Sequence, residues 1–494
     1  MNEKPKSKWR WRLLRWALTG AAILITLAAI VITEEDVRGK HAWENYKQQA
    51  ASRGEYLDRF PLTNAIPDDQ NFAKAPLFDA LWTMKWNEKD KSWETDSGVV
   101  DQMNMYPARG DGSWADHAGG DWMRGTLTDL KAWQTYYRTA STNGADNFRV
   151  GSQPQTPGAD VLLALSKFDP GIEALRQASQ RPRARFADYY WNDTKTMSQI
   201  MMYLSDVKRC YQVLQLRTEA ELAEDQNDQA LADLELMLRL NDRLRQEPLL
   251  ITHLVGLATW NMTMQPIFEG LARHGWSDAQ LAELERQIAA EDFLAGYQKA
   301  MRGERAFAIT AFENMRSGGL RLMPSAFLYQ NELALAKLEE QYFLPLADLN
   351  RRILSPAALR KVGSLVDSER GHFRPYTMMA WEMTPSISSA VKKFAQGQSA
   401  ADLALVACAL ERYRLAHGEF PENLGGLEPQ YIEVLPHDVI NGEPLHYRRT
   451  EGDNYILYSV GWNEKDDGGQ IVLTKDHRQV DRKQGDWVWN SGSK

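Results

Sequence analysis

Cysteine is scarce, with two residues (Cys210 and Cys408) in a chain of 494. That excludes a disulfide scaffold and a zinc ribbon. Positive charge is in deficit too: 58 Lys and Arg against 66 Asp and Glu give a net charge of −8. The broad basic face that nucleic acid needs is therefore missing. The chain has no G-x-S-x-G turn, no glycine-rich phosphate loop, no C-x-x-C and no H-x-x-x-H spacing. No second copy of any segment recurs at a period near 34, so a repeat array is excluded. What remains is ordinary globular material, 43% hydrophobic and 25% charged, with one long uncharged run. A largely disordered chain and a polytopic membrane protein are excluded.

That run carries the first positive signal. Residues 1–16 hold six bases (Lys4, Lys6, Lys8, Arg10, Arg12, Arg15) and one acid, Glu3. Trp16 to Thr33 then carries no charge, and Glu34, Glu35 and Asp36 follow at once. With Leu13 and Leu14 the stretch reaches about 20 residues, enough for a hydrocarbon core. Bases before and acids after predict a cytoplasmic N-terminus and an exported bulk, periplasmic or extracellular. Trp9, Trp11 and Trp16 suit the interfacial belt. A cleaved signal peptide is the competing reading, but the run is long for one and Thr26-Leu27-Ala28 is a poor cleavage site. The expectation is a retained signal-anchor at the cell membrane. Beyond residue 16 the net charge is −13, which disfavours docking on anionic lipid or nucleic acid.

The domain reading follows the pattern along the chain: 1–12 a cytoplasmic tail, 13–33 the transmembrane anchor, 34–155 a juxtamembrane helix and a Trp-rich irregular region, 156–380 an all-α body, and 386–494 an α+β domain. In the irregular region Trp82, Trp86, Trp93, Trp114 and Trp122 fall close together beside Asp and Asn. Aromatic faces with such neighbours suit stacking on sugars, so they form a candidate ligand surface. The plainer reading makes them anchors that pin loops onto the body. The body shows apolar residues at i, i+3 and i+4 throughout. LRTEAELAEDQNDQALADLELMLRLNDRL reads as two antiparallel helices joined at Glu224–Asn227. Ser277 and Gln280 predict a capping box, and Ser355-Pro356 a further helix start. Cys210 and Cys408 each sit in helical surroundings, which favours buried free thiols. Glu304 and Glu369 are the carboxylates to consider for an envelope enzyme, with helix-surface ion pairing as the plainer fate. The fold class expected is mostly α-helical with a C-terminal α+β domain.

In that last domain a long helix, AVKKFAQGQSAADLALVACALERYRLAHG, is expected to end at Gly418. Its apolar face includes Phe394, Leu403, Val406, Ala407, Leu410 and Tyr413. Strands LHYRR, NYILYSV and QIVLTK follow, separated by turn residues. ALERYRLAHGEFPENLGGL, LPHDVINGEPLHY and ILYSVGWNEKDDGG, in that order, resemble the globular domain of the major pseudopilin of type II secretion. The resemblance covers roughly the last 105 residues. It implies a long helix packed on a small antiparallel sheet, and a calcium ion in the acidic loop. The ligand candidates would be Asn463, Glu464, Asp466 and Asp467. Asn463 stands where the family has an Asp, and the family's later D-x-D pair has no match here. The membrane helix lies some 350 residues before the pilin-like one, so the resemblance carries over the module and not filament assembly. The whole chain is similar to large single-pass bacterial membrane proteins with this ending. The functional expectation is a scaffolding or partner-binding envelope protein near secretion or pilus-like machinery, with no cofactor unless calcium and no nucleic-acid partner. The alternatives are glycan binding through the Trp-rich region and an unrecognised envelope enzyme.

Overall fold

The computed structural model describes residues 7–58, 66–94, 103–108, 118–142, 147–186, 194–317, 324–370, 376–382, 384–451 and 453–492. In chain order the helices are α1 (Ser7–Ser52), α2 (Asp79–Trp82), α3 (Leu130–Thr142), α4 (Pro157–Leu165), α5 (Asp169–Ser179), α6 (Thr194–Ala223) and α7 (Asn227–Arg245). Then come α8 (Leu250–Ala272), α9 (Asp278–Ala289), α10 (Phe293–Ser317), α11 (Ser325–Leu338), α12 (Pro356–Arg370), α13 (Met378–Glu382) and α14 (Thr384–His417). The strands are β1 (Lys85–Asn87), β2 (Ser92–Glu94), β3 (Ala347–Asp348), β4 (Ile353–Leu354), β5 (His446–Thr450), β6 (Asn454–Ser459), β7 (Ile471–Leu473), β8 (Val480–Gly485) and β9 (Trp487–Asn490). The protein is mostly helical with a C-terminal α+β part.

The chain divides into two compact units. The first comprises residues 1–61, 302–344 and 362–386. Its first element, α1, is a single helix of 46 residues. The apolar run and the charged stretch after it therefore share one backbone, with no break at residue 34. The polar half packs on α11. Gly39, Trp43 and Ala50 are buried at helical spacing. The core there is Trp43, Ala50, Leu57, Ile309 and Ala336, bordered by Tyr46, Tyr329 and Leu333. Asn331 on α11 turns its side-chain oxygen to the first free N–H groups of α13, accepting from Met379 at 2.9 Å and Ala380 at 3.3 Å.

The second unit comprises residues 62–301, 345–361 and 387–494. The predicted helical hairpin is α6 and α7, and α8 packs against both. Tyr211 is fully buried between them and donates its hydroxyl to the Met237 carbonyl at 2.5 Å. Asn241 on α7 donates to the Gly256 carbonyl of α8 at 2.8 Å, which satisfies a buried amide. The Ser277–Gln280 capping box is formed at the start of α9, and Ser355 accepts from the Ala358 N–H at 3.2 Å.

Helix α14 departs from expectation in its surroundings. An amphipathic helix with one face on a sheet was expected. Instead Ala400, Ala401, Leu403, Ala404, Val406, Ala407, Cys408, Ala409 and Leu410 are all buried. Small side chains on every face let other elements approach from all sides. At Gly397 a Cβ would come within 2.4 Å of Leu257 Cδ2 and 3.3 Å of the Phe293 ring. The helix ends as expected at Gly418, which takes φ +81° and returns its N–H to the Arg414 carbonyl at 2.7 Å. Strands β5, β6 and β9 form an antiparallel sheet in that order. Strands β8 and β9 were not anticipated, and β9 supplies Trp487 and Trp489 to the core.

Candidate functional site

The outstanding feature of the first unit is its stem. From Trp9 to Val37 the large apolar side chains of α1 are exposed, among them Leu24 at 69% and Ile25 at 70%. No segment of the described chain covers them. This is the one described helix long and apolar enough to cross a membrane. Its apolar window has no buried residue at all, whereas a soluble core helix would be covered by its neighbours.

Just beyond the apolar run the stem is gripped. The Asp36 carboxylate accepts from the Ala326 N–H at the start of α11, capping donors that an isolated helix end leaves orphaned. Nearly three turns later the grip becomes ionic. Tyr46 donates its hydroxyl to Glu340, and Arg53 donates to the same carboxylate at 2.7 Å. Glu55, just past the end of α1, meets Arg305 at 3.0 Å and Arg302 at 3.5 Å. Arg305 also reaches Glu339 at 3.1 Å. Glu339 and Glu340 open a π-helical turn, Glu339–Phe343, that continues α11. The wider turn lets two successive acids face the stem.

The burial of this clamp sets its electrostatics. The side chains of Arg305 and Glu339 are 1% and 4% exposed. Loss of solvent pushes the Glu339 carboxyl up to about 8, with neighbouring Glu55 adding to the rise and Arg305 opposing it. Burial and the hydrogen bond to Glu340 also raise Tyr46, which keeps its phenol a donor. Three arginines (53, 302 and 305) face three glutamates (55, 339 and 340), and below about pH 8, where Glu339 keeps its proton, the cations of the clamp outnumber its charged carboxylates by one. The clamp can hold the stem in one orientation, and it offers no exposed nucleophile.

The other candidate residues are dispersed. Trp122 is 5% exposed and packs on Trp489 with ring centroids 5.3 Å apart. Trp82 is half-buried beside Phe186 and donates its indole N–H to the Ala73 carbonyl at 2.7 Å. Trp86 and Trp93 face each other edge-to-face across the β1–β2 hairpin, 5.4 Å between centroids. Trp114 lies outside the described residues. The described tryptophans thus divide among three places and build no shared platform.

In the acidic loop Asn463 donates to Asp467 at 2.7 Å. Asp466 accepts from the Tyr458 hydroxyl at 3.0 Å and the Gly468 N–H at 2.9 Å. Glu464 is paired with Arg360. Asn463 and Asp467 bond to each other while Asp466 and Glu464 turn to Tyr458 and Arg360, an arrangement that does not fit a single calcium ion. Among the described residues no group of three or more His, Cys, Asp or Glu side chains is placed to hold a metal. The loop is instead held by Asp486, which accepts from the N–H groups of Asp467 at 3.2 Å and Gly469 at 2.7 Å. Sequence reasoning missed Asp486. Its signal, a lone acid between Gly485 and Trp487, does not distinguish it from a turn residue.

Glu304 is half-buried on α10, and burial raises its carboxyl above the usual range. The side chain of Glu369 lies outside the described residues. Cys210 and Cys408 are both buried and free, as expected. No family model, no curated protein and no solved structure matches the chain.

Proposed function

We propose that this chain is a single-pass, membrane-anchored bacterial envelope protein that acts as a scaffold or partner-binding element. Its N-terminus would face the cytoplasm and its bulk the periplasm or the exterior. The supporting observation is α1: one helix whose first half is apolar and uncovered and whose second half is locked into a folded unit. A helix of this kind carries a folded body at a fixed stance on a bilayer. The charge asymmetry around residues 1–36 supports the orientation. The sequence resemblance of the last 105 or so residues to a pseudopilin module motivates placing the partner near secretion or pilus-like machinery. No constellation of nucleophile, base and oxyanion donors stands out among the described residues, so we assign no reaction.

Two measurements test this. Protease added to intact spheroplasts should digest the bulk while a tag ahead of residue 7 survives; the opposite pattern overturns the orientation. Co-purification of the full-length protein from gently solubilised native membranes should bring envelope partners in stoichiometric amounts. Recovery of the protein alone, with no partner after cross-linking, overturns the scaffold reading.

A further inference from the structure

We propose that a small crevice in the second unit binds one monovalent anion, with the Arg482 guanidinium as its charge partner. Four elements build it. The turn at Trp122–Arg124 gives Trp122 and Met123, α8 gives Asn261, α14 gives Ser399 and Leu403, and the β8–β9 corner gives Arg482 and Trp487.

The polar groups here point to an acceptor, and the argument is one of elimination. Arg482 donates to the Asn261 side-chain oxygen at 2.7 Å, and the Trp122 indole N–H reaches the same oxygen at 3.4 Å. That oxygen is used up, so what Asn261 has left to offer is its two amide hydrogens. Ser399 is 2% exposed, and its hydroxyl has no hydrogen-bond partner. A buried hydroxyl in that state carries the full cost of desolvation unless something accepts from it. Arg482 itself has no carboxylate within ion-pairing distance among the described residues. The acid that acts on it is Asp121, whose side chain is occupied with the Met123 N–H at 3.1 Å. Loss of solvent lowers Arg482, a sign of a cation short of compensation. No carboxylate lines the crevice. Gln396, the remaining polar side chain of the lining, offers amide hydrogens as well as one oxygen, so hydrogen donors and an under-compensated positive charge outnumber acceptors between apolar walls that strengthen the field on anything bound.

Size selects the ligand class. The cavity is about 10 Å³, room for about one water-sized particle. A halide fits this scale, and a carboxylate fits it with one oxygen inserted and the rest of the group outside. Sulfate and phosphate are bulkier and would bring a second charge against one cation. The carboxylate could belong to a free small acid or to the tip of a longer molecule. This reading is independent of the membrane anchor and of any partner protein.

The test uses full-length protein in detergent. Chloride, formate, acetate and succinate are compared with sulfate at equal ionic strength. Binding is read by the 35Cl line width and by the thermal midpoint. The expected result is saturable line broadening, or a midpoint raised by about 2 °C, with at least one monovalent anion. R482Q should abolish the response. S399A, which removes only the unpartnered hydroxyl, should fold normally and weaken it about tenfold. A chloride preference assigns a free halide, a formate or acetate preference a small carboxylate, and an equal response to succinate the tip of a longer acid. Identical behaviour in all salts, or an S399A response equal to that of the unaltered protein, overturns the proposal.

Discussion

Replacing Arg305 by methionine tests the clamp most directly. The side chain is almost wholly enclosed, and it faces Glu339 at 3.1 Å and Glu55 at 3.0 Å. Methionine keeps the stem of the side chain in place and removes the charge. Glu339 is then buried without its nearest cation. Breaking a buried pair in this way costs about 3–5 kcal/mol. That cost falls where the stem meets α10 and α11, so it is read locally. Hydrogen exchange over residues 34–58 should accelerate by about two orders of magnitude or more, since each 1.4 kcal/mol is a factor of about ten. The effect should also depend on pH. The folded-state pKa of Glu339 is raised to about 8 from an ordinary 4.5. Between these values the folded protein holds a proton that the unfolded chain releases. Stability from this group is therefore full below about pH 4.5 and falls as pH climbs through 8. The R305M defect should be greatest above pH 8 and smaller near pH 6, where a proton replaces the lost cation. E339Q should be milder, because Arg305 keeps Glu55, and it should flatten the pH dependence. Exchange within threefold of the unaltered protein at pH 8.5, or a defect independent of pH, would refute the reasoning.

Two further predictions concern the second unit. At Gly270 on α8 a Cβ would sit 2.0 Å from the Trp276 indole nitrogen and 2.3 Å from its ring carbon. The ring is fully buried, so Gly270→Ala should destabilise by about 1–3 kcal/mol, visible as a lower thermal midpoint; an unchanged midpoint would show that the ring can move aside. In the acidic loop Asp486 does the organising, so adding 5 mM calcium or excess chelator should move the midpoint by less than about 1 °C, whereas D486A should destabilise the protein by about 1–3 kcal/mol through its two orphaned N–H groups. A calcium-dependent rise of several degrees would restore the metal to the loop.

The parts of this fold that could be read in the sequence are those governed by neighbours within a few residues. The α6–α7 hairpin followed from helical periodicity, the start of α9 from Ser277 and Gln280, and the end of α14 from Gly418. The clamp could not be read in this way. Arg305 and Glu55 are 250 positions apart, and each alone looks like a surface charge. The same holds for Asn261 and Arg482, separated by 221 positions. Strand β8 was hidden by its composition, since VDRKQG alternates poorly and is two-thirds polar. The all-round burial of α14 was hidden because alanine is as common on exposed helix faces as on buried ones. Of the tryptophan cluster, sequence proximity did not translate into spatial proximity: Trp122 went to the core beside Trp489, and Trp86 and Trp93 to a separate hairpin.

An unbroken α1 has a mechanical consequence. At 1.5 Å per residue its 46 residues extend about 70 Å, and no glycine-rich or proline hinge interrupts it between the apolar run and the clamp. Anchored in a bilayer, such a rod works as a lever. Helices accommodate membranes of different thickness by tilting, over a range of tens of degrees. A 20° change in tilt would swing the clamped end, about 30 Å above the apolar run, sideways by about 10 Å. The clamped unit would ride with that swing, so bilayer thickness itself would help to set where the unit presents its surface.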